Sequence, residues 1–352
     1  MEELGGDPDL RSLNEVLDRA RPPLKGICRV CPVCDGRACI SGVPGMGGRG
    51  SRTGFRRNRA AFERILLNLR TIHNAVNPET GYDFFGVKLT IPVMSAPMCE
   101  TTYNFLGKVD DYEFIKAQVA GAEASGTLAF TGDSPDPPLY GMGLQALREE
   151  AGQKGAPIIK PREVNKIIER IKMAEENGVT AVGIDIDAAG FDNLIRAGQP
   201  AAPLSVDKLC KIVESTSLPV ILKGIMTPDE AREAVECGAA GIVVSNHGGR
   251  SLDFTPGTLE VLPEIASAVQ GAIRILLDGG VRSGEDVLKA IALGAEAVLV
   301  GRPVAIAAVG GKDHGVNLLF QQFQAELNRA MLLTGCDRLS AINPQVIRRV
   351  DW

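Results

Sequence analysis

Thr227-Pro228-Asp229-Glu230-Ala231-Arg232-Glu233-Ala234-Val235-Glu236-Cys237-Gly238-Ala239-Ala240-Gly241-Ile242-Val243-Val244-Ser245 reads as one helix followed by one strand. Thr227 is a capping residue and Pro228 suits the first helical position, where the missing N–H costs nothing. Gly238 marks the helix stop. Gly241–Ser245 is a short β-branched run bounded by glycine, the pattern of a strand buried on both faces in a parallel sheet. The same alternation extends in both directions. Strands are predicted at Ile91–Ala96, Thr127–Thr131, Pro157–Lys160, Thr180–Asp187, Pro219–Lys223, Gly241–Ser245, Ile273–Asp278 and Ala297–Val300. Helices are predicted at Glu163–Asn177, Ser205–Ser215, Pro228–Cys237, Leu259–Val269 and Ser283–Leu293, with further glycine stops at Gly178 and Gly294. Eight strands with crossover helices predict an α/β fold, a (β/α)8 TIM barrel whose functional groups gather at the C-terminal strand ends. An open doubly wound sheet is the alternative, but no dinucleotide glycine fingerprint follows the first strand.

Residues 1–90 differ in character and read as an N-terminal extension covering part of the barrel. They hold a cysteine cluster, a glycine-rich stretch from Gly42 to Gly54, a basic run (Arg52, Arg56, Arg57, Arg59) and an amphipathic lead-in helix near Asn58–Leu69. Residues 91–352 form the barrel in this reading, with Leu318–Leu333 as a terminal helix ended by Gly335, and the whole is one structural domain. A chain of 352 residues with 45% hydrophobic content can bury a core of that size. The formal net charge of -5 argues against nonspecific nucleic-acid binding. No apolar run reaches the ~18 residues that span a bilayer. The opening Met1-Glu2-Glu3-Leu4-Gly5 lacks an apolar signal core, so the expectation is a cytoplasmic, reducing location. Eight cysteines there are expected as thiols or metal ligands, not disulfides.

Chemistry concentrates after the sixth strand, in Ser245-Asn246-His247-Gly248-Gly249-Arg250. A base and a carboxylate-binding cation on one strand-end loop suit proton abstraction beside a carboxylate. A capping histidine in a glycine turn is the alternative. Asp278-Gly279-Gly280-Val281-Arg282-Ser283-Gly284 and Gly301-Arg302-Pro303 follow the last two strands, where barrels commonly bind phosphate. Asp278 could accept from a ribityl or ribose hydroxyl. Lys223 ends an apolar run and should point into the barrel mouth, to hold an anionic ring or oxyanion; a Schiff-base lysine is the rival chemistry. Asp185 and Asp187 end the fourth strand, where one should face the mouth and orient an imidazole. Finally, Cys28, Cys31, Cys34 and Cys39 have C-x2-C-x2-C-x4-C spacing. That spacing reads as ligation of an iron–sulfur cluster or zinc, with packed or redox-active thiols as the alternative.

Four segments together resemble the FMN-dependent 2-hydroxy-acid oxidase/dehydrogenase family, which includes glycolate oxidase, lactate oxidase and the flavin type of L-lactate dehydrogenase. They are Leu218–Gly224, Ser245–Asp253, Leu277–Ala290 and Gly301–Pro303. The similarity is dense from Pro219 to Pro303 and traceable back to about Asn58. The resemblance implies FMN as cofactor and oxidation of a lactate- or glycolate-like 2-hydroxy acid to a 2-oxo acid. An isomerase or reductase on the same barrel, or a noncatalytic flavin-binding protein, is the alternative. It implies His247 as the base, Asp187 as its charge partner, Arg250 on the substrate carboxylate and Lys223 against the flavin ring. Ala96, Pro97, Met98, Thr131, Ser245, Asp278, Gly279, Gly280, Arg282, Gly301 and Arg302 would hold the cofactor. It also implies a homo-oligomer, tetramer-like. A cluster at the cysteines would add a protein electron acceptor as partner. Three family features are missing. No tyrosine stands in Val43–Gly48, Ala156–Pro161 lacks the Gln and Tyr pair, and Asp187–Phe191 lacks the second arginine.

Overall fold

Val, Ile, Leu and Ala dominate the eight core strands, and almost every residue in them is buried, as expected where helices cover one face of a sheet and its own interior fills the other. The computed structural model describes residues 10–135, 137–199 and 201–350. Its barrel strands are β1 (Val93–Met98), β2 (Ala129–Thr131), β3 (Ala156–Ile159), β4 (Val182–Asp185), β5 (Val220–Ile225), β6 (Gly241–Val244), β7 (Arg274–Leu277) and β8 (Ala297–Val300). Each pairs in parallel with the next, and β8 returns to β1 through Val298 opposite Val93 and Val300 opposite Ser95. The ring is closed, which excludes the open doubly wound sheet. Met94, Phe130, Ile158, Ile221, Val243, Leu276 and Leu299 fill its interior.

A two-stranded hairpin, Tyr82–Phe84 with Val87–Leu89, plugs the end where the strands begin. Phe84 and Leu89 join the interior cluster, and Arg274 at the start of β7 donates to the Asp83 carbonyl. The opposite end is left for the site. The crossover helices lie within a residue or two of their expected bounds: Val164–Glu176, Val206–Val213, Pro228–Glu236, Thr258–Val269 and Gly284–Ala292. Ser283 caps the last of these by accepting from the Asp286 amide. Thr227 stands at its expected N-cap, but its hydroxyl donates to Glu230 instead of capping a backbone amide.

Three expectations need correction. The lead-in helix covers Thr53–Glu63, not Asn58–Leu69, because Ile65–Leu67 leaves it to pair antiparallel with Ile347–Arg349 near the chain's end. The terminal helix begins at Arg302 and runs to Thr334, broken at Gly311 and Lys312, whose backbone angles are non-helical. Cys210 and Cys237 form a disulfide between two neighbouring helices, so not all cysteines are thiols or ligands. Among the described residues no helix is long and apolar enough to cross a membrane.

The N-terminal extension packs into the barrel's outer core through Val16, Ala20, Leu24, Ile27, Val30 and Met46. Its helix Thr53–Glu63 lies against the loops after β6 and β7. Asn58 and Asn246 exchange two amide hydrogen bonds, at 2.8 and 3.0 Å. Gly249 must be glycine there: its φ is +78°, and a Cβ would come within 2.2 Å of the Phe55 backbone nitrogen.

Candidate active site

The C-terminal ends of β1, β4 and β5 and the loops after β6, β7 and β8 surround one cavity, roofed by the segment around Val43–Met46. Of the expected residues, Ala96, Pro97, Met98, Lys223, His247, Arg250, Asp278, Gly279, Gly280, Arg282, Gly301 and Arg302 all line it. Two of the remainder stand just behind the wall. Ser245 is fully buried, with its hydroxyl accepting from the His247 amide at 3.0 Å. Asp187 supports His247 from beneath. Thr131 is not brought to the cavity: its hydroxyl lies against Gly143 on the outer helix.

His247 adopts a left-handed backbone conformation (φ 56°), uncommon for a residue with a side chain and a recurrent feature of functional loops. Its Nδ1 lies 3.0 Å from Asp187 Oδ1, and the edge of its ring meets Phe191 at a centroid distance of 4.7 Å. With Nδ1 occupied, Nε2 is the nitrogen left to exchange a proton with a ligand. Asp185 and Asp187 both reach the imidazole, at 3.4 and 3.0 Å from Nδ1, where the sequence reading expects one of them to face the mouth. β4 ends at Asp185, and the 3₁₀ turn Ile186–Ala188 swings Asp187 round to the same imidazole. Asp185, Asp187 and His247 place their ligand-capable atoms within 4.8 Å of one another.

Lys223 is enclosed, 2.9 Å from Asp185 and 3.7 Å from Asp278. Burial works against its charge, but Asp185, Asp187 and Asp278 outweigh it and hold the ammonium above its ordinary pKa. A lysine so firmly protonated is a poor Schiff-base nucleophile, which removes the rival chemistry. Asp185 also binds Lys160. Burial alone would raise the Asp185 pKa; His247, Lys160 and Lys223 override it and hold the carboxyl well below the usual range. Asp187 is shifted upward, chiefly by burial. Lys160, outside the set of site residues the resemblance implies but a candidate to replace the missing arginine, lines the cavity with its ammonium 5.1 Å from the Phe191 ring. Its place at the end of a barrel strand was the available signal.

Arg250 is half-buried, and desolvation pulls its pKa down to about 10. Its hydrogen bonds go to the carbonyls of Gly45 and Gly47 and to the Asn104 side chain, all neutral acceptors. Arg302 is likewise pulled down to about 9, by burial first and by the nearby charges of Arg250 and Arg282. Arg282, Arg302 and the glycine loop after β7 suit a phosphate. Asp278 Oδ1 is buried and has no hydrogen-bond partner, an acceptor that a cofactor hydroxyl would satisfy. The residues present therefore fit FMN.

The four cysteines do not converge on a single ion. Among the described residues, no three of them gather within 4.8 Å, the only such group being Asp185, Asp187 and His247. Cys34 is drawn instead to Arg282, which donates to its carbonyl at 3.1 Å and to its Sγ at 3.5 Å. Cys28 Sγ accepts from the Val30 amide, and the Cys39 carbonyl accepts from Arg52. The loop thus rests on Arg282, one of the two arginines expected at the phosphate, and on Arg52.

Comparison with known proteins agrees with this geometry. The FMN-dependent dehydrogenase family model matches residues 45–197 and 193–349. A 4-hydroxymandelate oxidase of Amycolatopsis orientalis is 32% identical over 332 residues, covering 84% of this chain and 90% of that protein. An L-lactate oxidase of Nostoc is 34% identical over 334 residues, with 85% and 90% covered. A crystal structure of mandelate oxidase superposes with a TM-score of 0.77 at 29% identity, covering 96% of this chain and 98% of that one. The chain belongs to the FMN-dependent 2-hydroxy-acid oxidase and dehydrogenase family. It is an oxidoreductase acting on the CH–OH group of its donors.

Proposed function

We propose that this protein oxidises a small 2-hydroxy acid, of the lactate or glycolate type, to the 2-oxo acid. The observation that carries the reading is the pairing of a base with an anion site on one loop: His247 held by Asp187, and three residues on, Arg250 half-buried without a carboxylate partner. Arg250 binds the substrate carboxylate through its two-pronged guanidinium. That contact sets C2 and its hydroxyl before His247, whose Nε2 takes the proton. Asp187 fixes the imidazole's orientation and stabilises its charged form. FMN, when bound, would supply the acceptor for the C2 hydrogen with its electron pair, the hydroxyl proton being the one that His247 takes. Asp278, Gly279, Gly280, Arg282, Gly301 and Arg302 would hold its ribityl and phosphate, Ala96, Pro97 and Met98 its ring, and Lys223 would balance negative charge there. The extension and the barrel act as one unit in this proposal, since the Val43–Met46 segment roofs the same cavity. Lactate, glycolate and larger 2-hydroxy acids, supplied with an artificial electron acceptor, should yield the matching 2-oxo acids. An isomerised product without net oxidation would instead favour an isomerase on the same barrel.

The cysteine loop enters this reading as a seat for an iron–sulfur cluster, not zinc. Tetrahedral zinc with Zn–S near 2.3 Å needs sulfurs about 3.8 Å apart, closer than the 4.8 Å within which no three of these thiols gather. A four-iron cluster binds each thiolate through a separate iron and accepts a wider spacing. Arg282 beside Cys34 suits an anionic cluster. Such a centre would pass electrons singly to a protein acceptor. Iron and acid-labile sulfide should be found in anaerobically isolated protein; neither, with four free thiols, removes the cluster from the account.

A further inference from the structure

Tyr103 supplies the one phenolic hydroxyl in the cavity wall. Its ring is half-buried, but Oη is covered and has no hydrogen-bond partner among the described residues. A covered donor without an acceptor costs stability unless a ligand completes it. The next residue, Asn104, accepts from Arg250 Nη2 at 2.7 Å, so the turn Thr101–Asn104 after β1 brings the phenol alongside the half-buried guanidinium. Each of these two groups lacks what the other also lacks, an anionic oxygen.

The acids already in the wall are committed elsewhere. Asp192 pairs with Arg49 at 3.1 Å, Asp185 with Lys160 and Lys223, and Glu100 accepts from Asn193 at 2.8 Å. Asp133 pairs with Arg162 and Arg170, and Asp278 lies 3.7 Å from Lys223. No acid of the wall is hydrogen-bonded to Tyr103 or Arg250, which leaves the anion to a bound ligand. We propose that Tyr103 is a substrate-contact residue, donating its hydroxyl to the carboxylate that Arg250 holds and so sharing in substrate selection. The proposal rests on the 2-hydroxy-acid reading above. Burial raises the phenol's pKa, so it remains a donor through neutral pH. The roofing segment Val43–Gly48 contains no side-chain hydroxyl, so this donor reaches the site from another part of the fold.

The test compares Tyr103→Phe with the parent as FMN-loaded enzymes. Oxalate, a planar dianion carrying the same carboxylate, is titrated in and read from the perturbed flavin spectrum. Losing a hydrogen bond to a charged group should weaken oxalate binding and raise KM by about tenfold or more. FMN content should stay unchanged and kcat should move by about twofold at most. Parental oxalate affinity in Tyr103→Phe overturns the proposal, as does a fall in kcat with oxalate binding unaltered. A parent enzyme that neither binds oxalate nor is reduced by any 2-hydroxy acid overturns the underlying reading, and the Tyr103 role with it.

Discussion

His247 Nδ1 lies 3.0 Å from Asp187 Oδ1, and that contact joins the loop after β6 to the turn after β4. It orients a ring whose own backbone is held left-handed. Replacing His247 with Ala should slow flavin reduction by ~10²-fold or more while FMN stays bound, the usual size of a general-base loss. Rapid-mixing absorbance checks this, and a parental rate would remove His247 from the mechanism.

Arg250→Lys keeps the charge and loses the fork. Substrate KM should rise by about tenfold or more, as when a charge-assisted hydrogen bond is lost. Steady-state kinetics with FMN content measured in parallel decides it, and an unchanged KM would contradict the assignment.

Asp185 is enclosed between Lys160, Lys223 and His247. Removing one partner of a buried ion pair typically costs about 3–5 kcal/mol, so Asp185→Asn should lower the urea midpoint markedly at neutral pH. Because the folded carboxyl titrates well below its unfolded value, the unfolded chain binds more protons as pH falls through about 4. Asp185 therefore contributes full stability above that pH and loses it as the pH drops toward the folded value. Asp185→Asn should flatten the acid limb of the stability curve. A parallel limb would show that Asp185 is not paired as described.

Gly280 has φ +89°, and a Cβ there would come within 2.3 Å of the Asn58 carbonyl oxygen. The left-handed conformation alone costs a side-chain-bearing residue about 1–2 kcal/mol, and backbone cannot yield as a flexible side chain would. Gly280→Ala should lower the Tm and shed FMN on gel filtration. Retained FMN at an unchanged Tm would place the phosphate elsewhere.

The barrel was legible because its strands are nearly unbroken apolar runs and its helices carry caps and glycine stops. The His247 and Arg250 loop was legible because it follows such a strand directly. What the chain hides is set by contacts distant in sequence. Ile65–Leu67 looks helical until Ile347–Arg349 offers an edge. Asp187 reads as the last residue of the fourth strand until a 3₁₀ turn takes over after Asp185. Lys160 gains its place only through Asp185, 25 residues further on. The spacing of Cys28, Cys31, Cys34 and Cys39 suggests a metal centre, but the contact of Cys34 with Arg282, 248 residues further on, is set by the fold alone.

The most direct test of the account is anaerobic mixing of the FMN-loaded enzyme with a 2-hydroxy acid, followed by product analysis. The account predicts that the visible absorbance of the oxidised flavin bleaches as 2-oxo acid accumulates, one molecule for each electron pair delivered. Flavin that remains oxidised with every 2-hydroxy acid tried, in protein that holds FMN and keeps its fold, would contradict it.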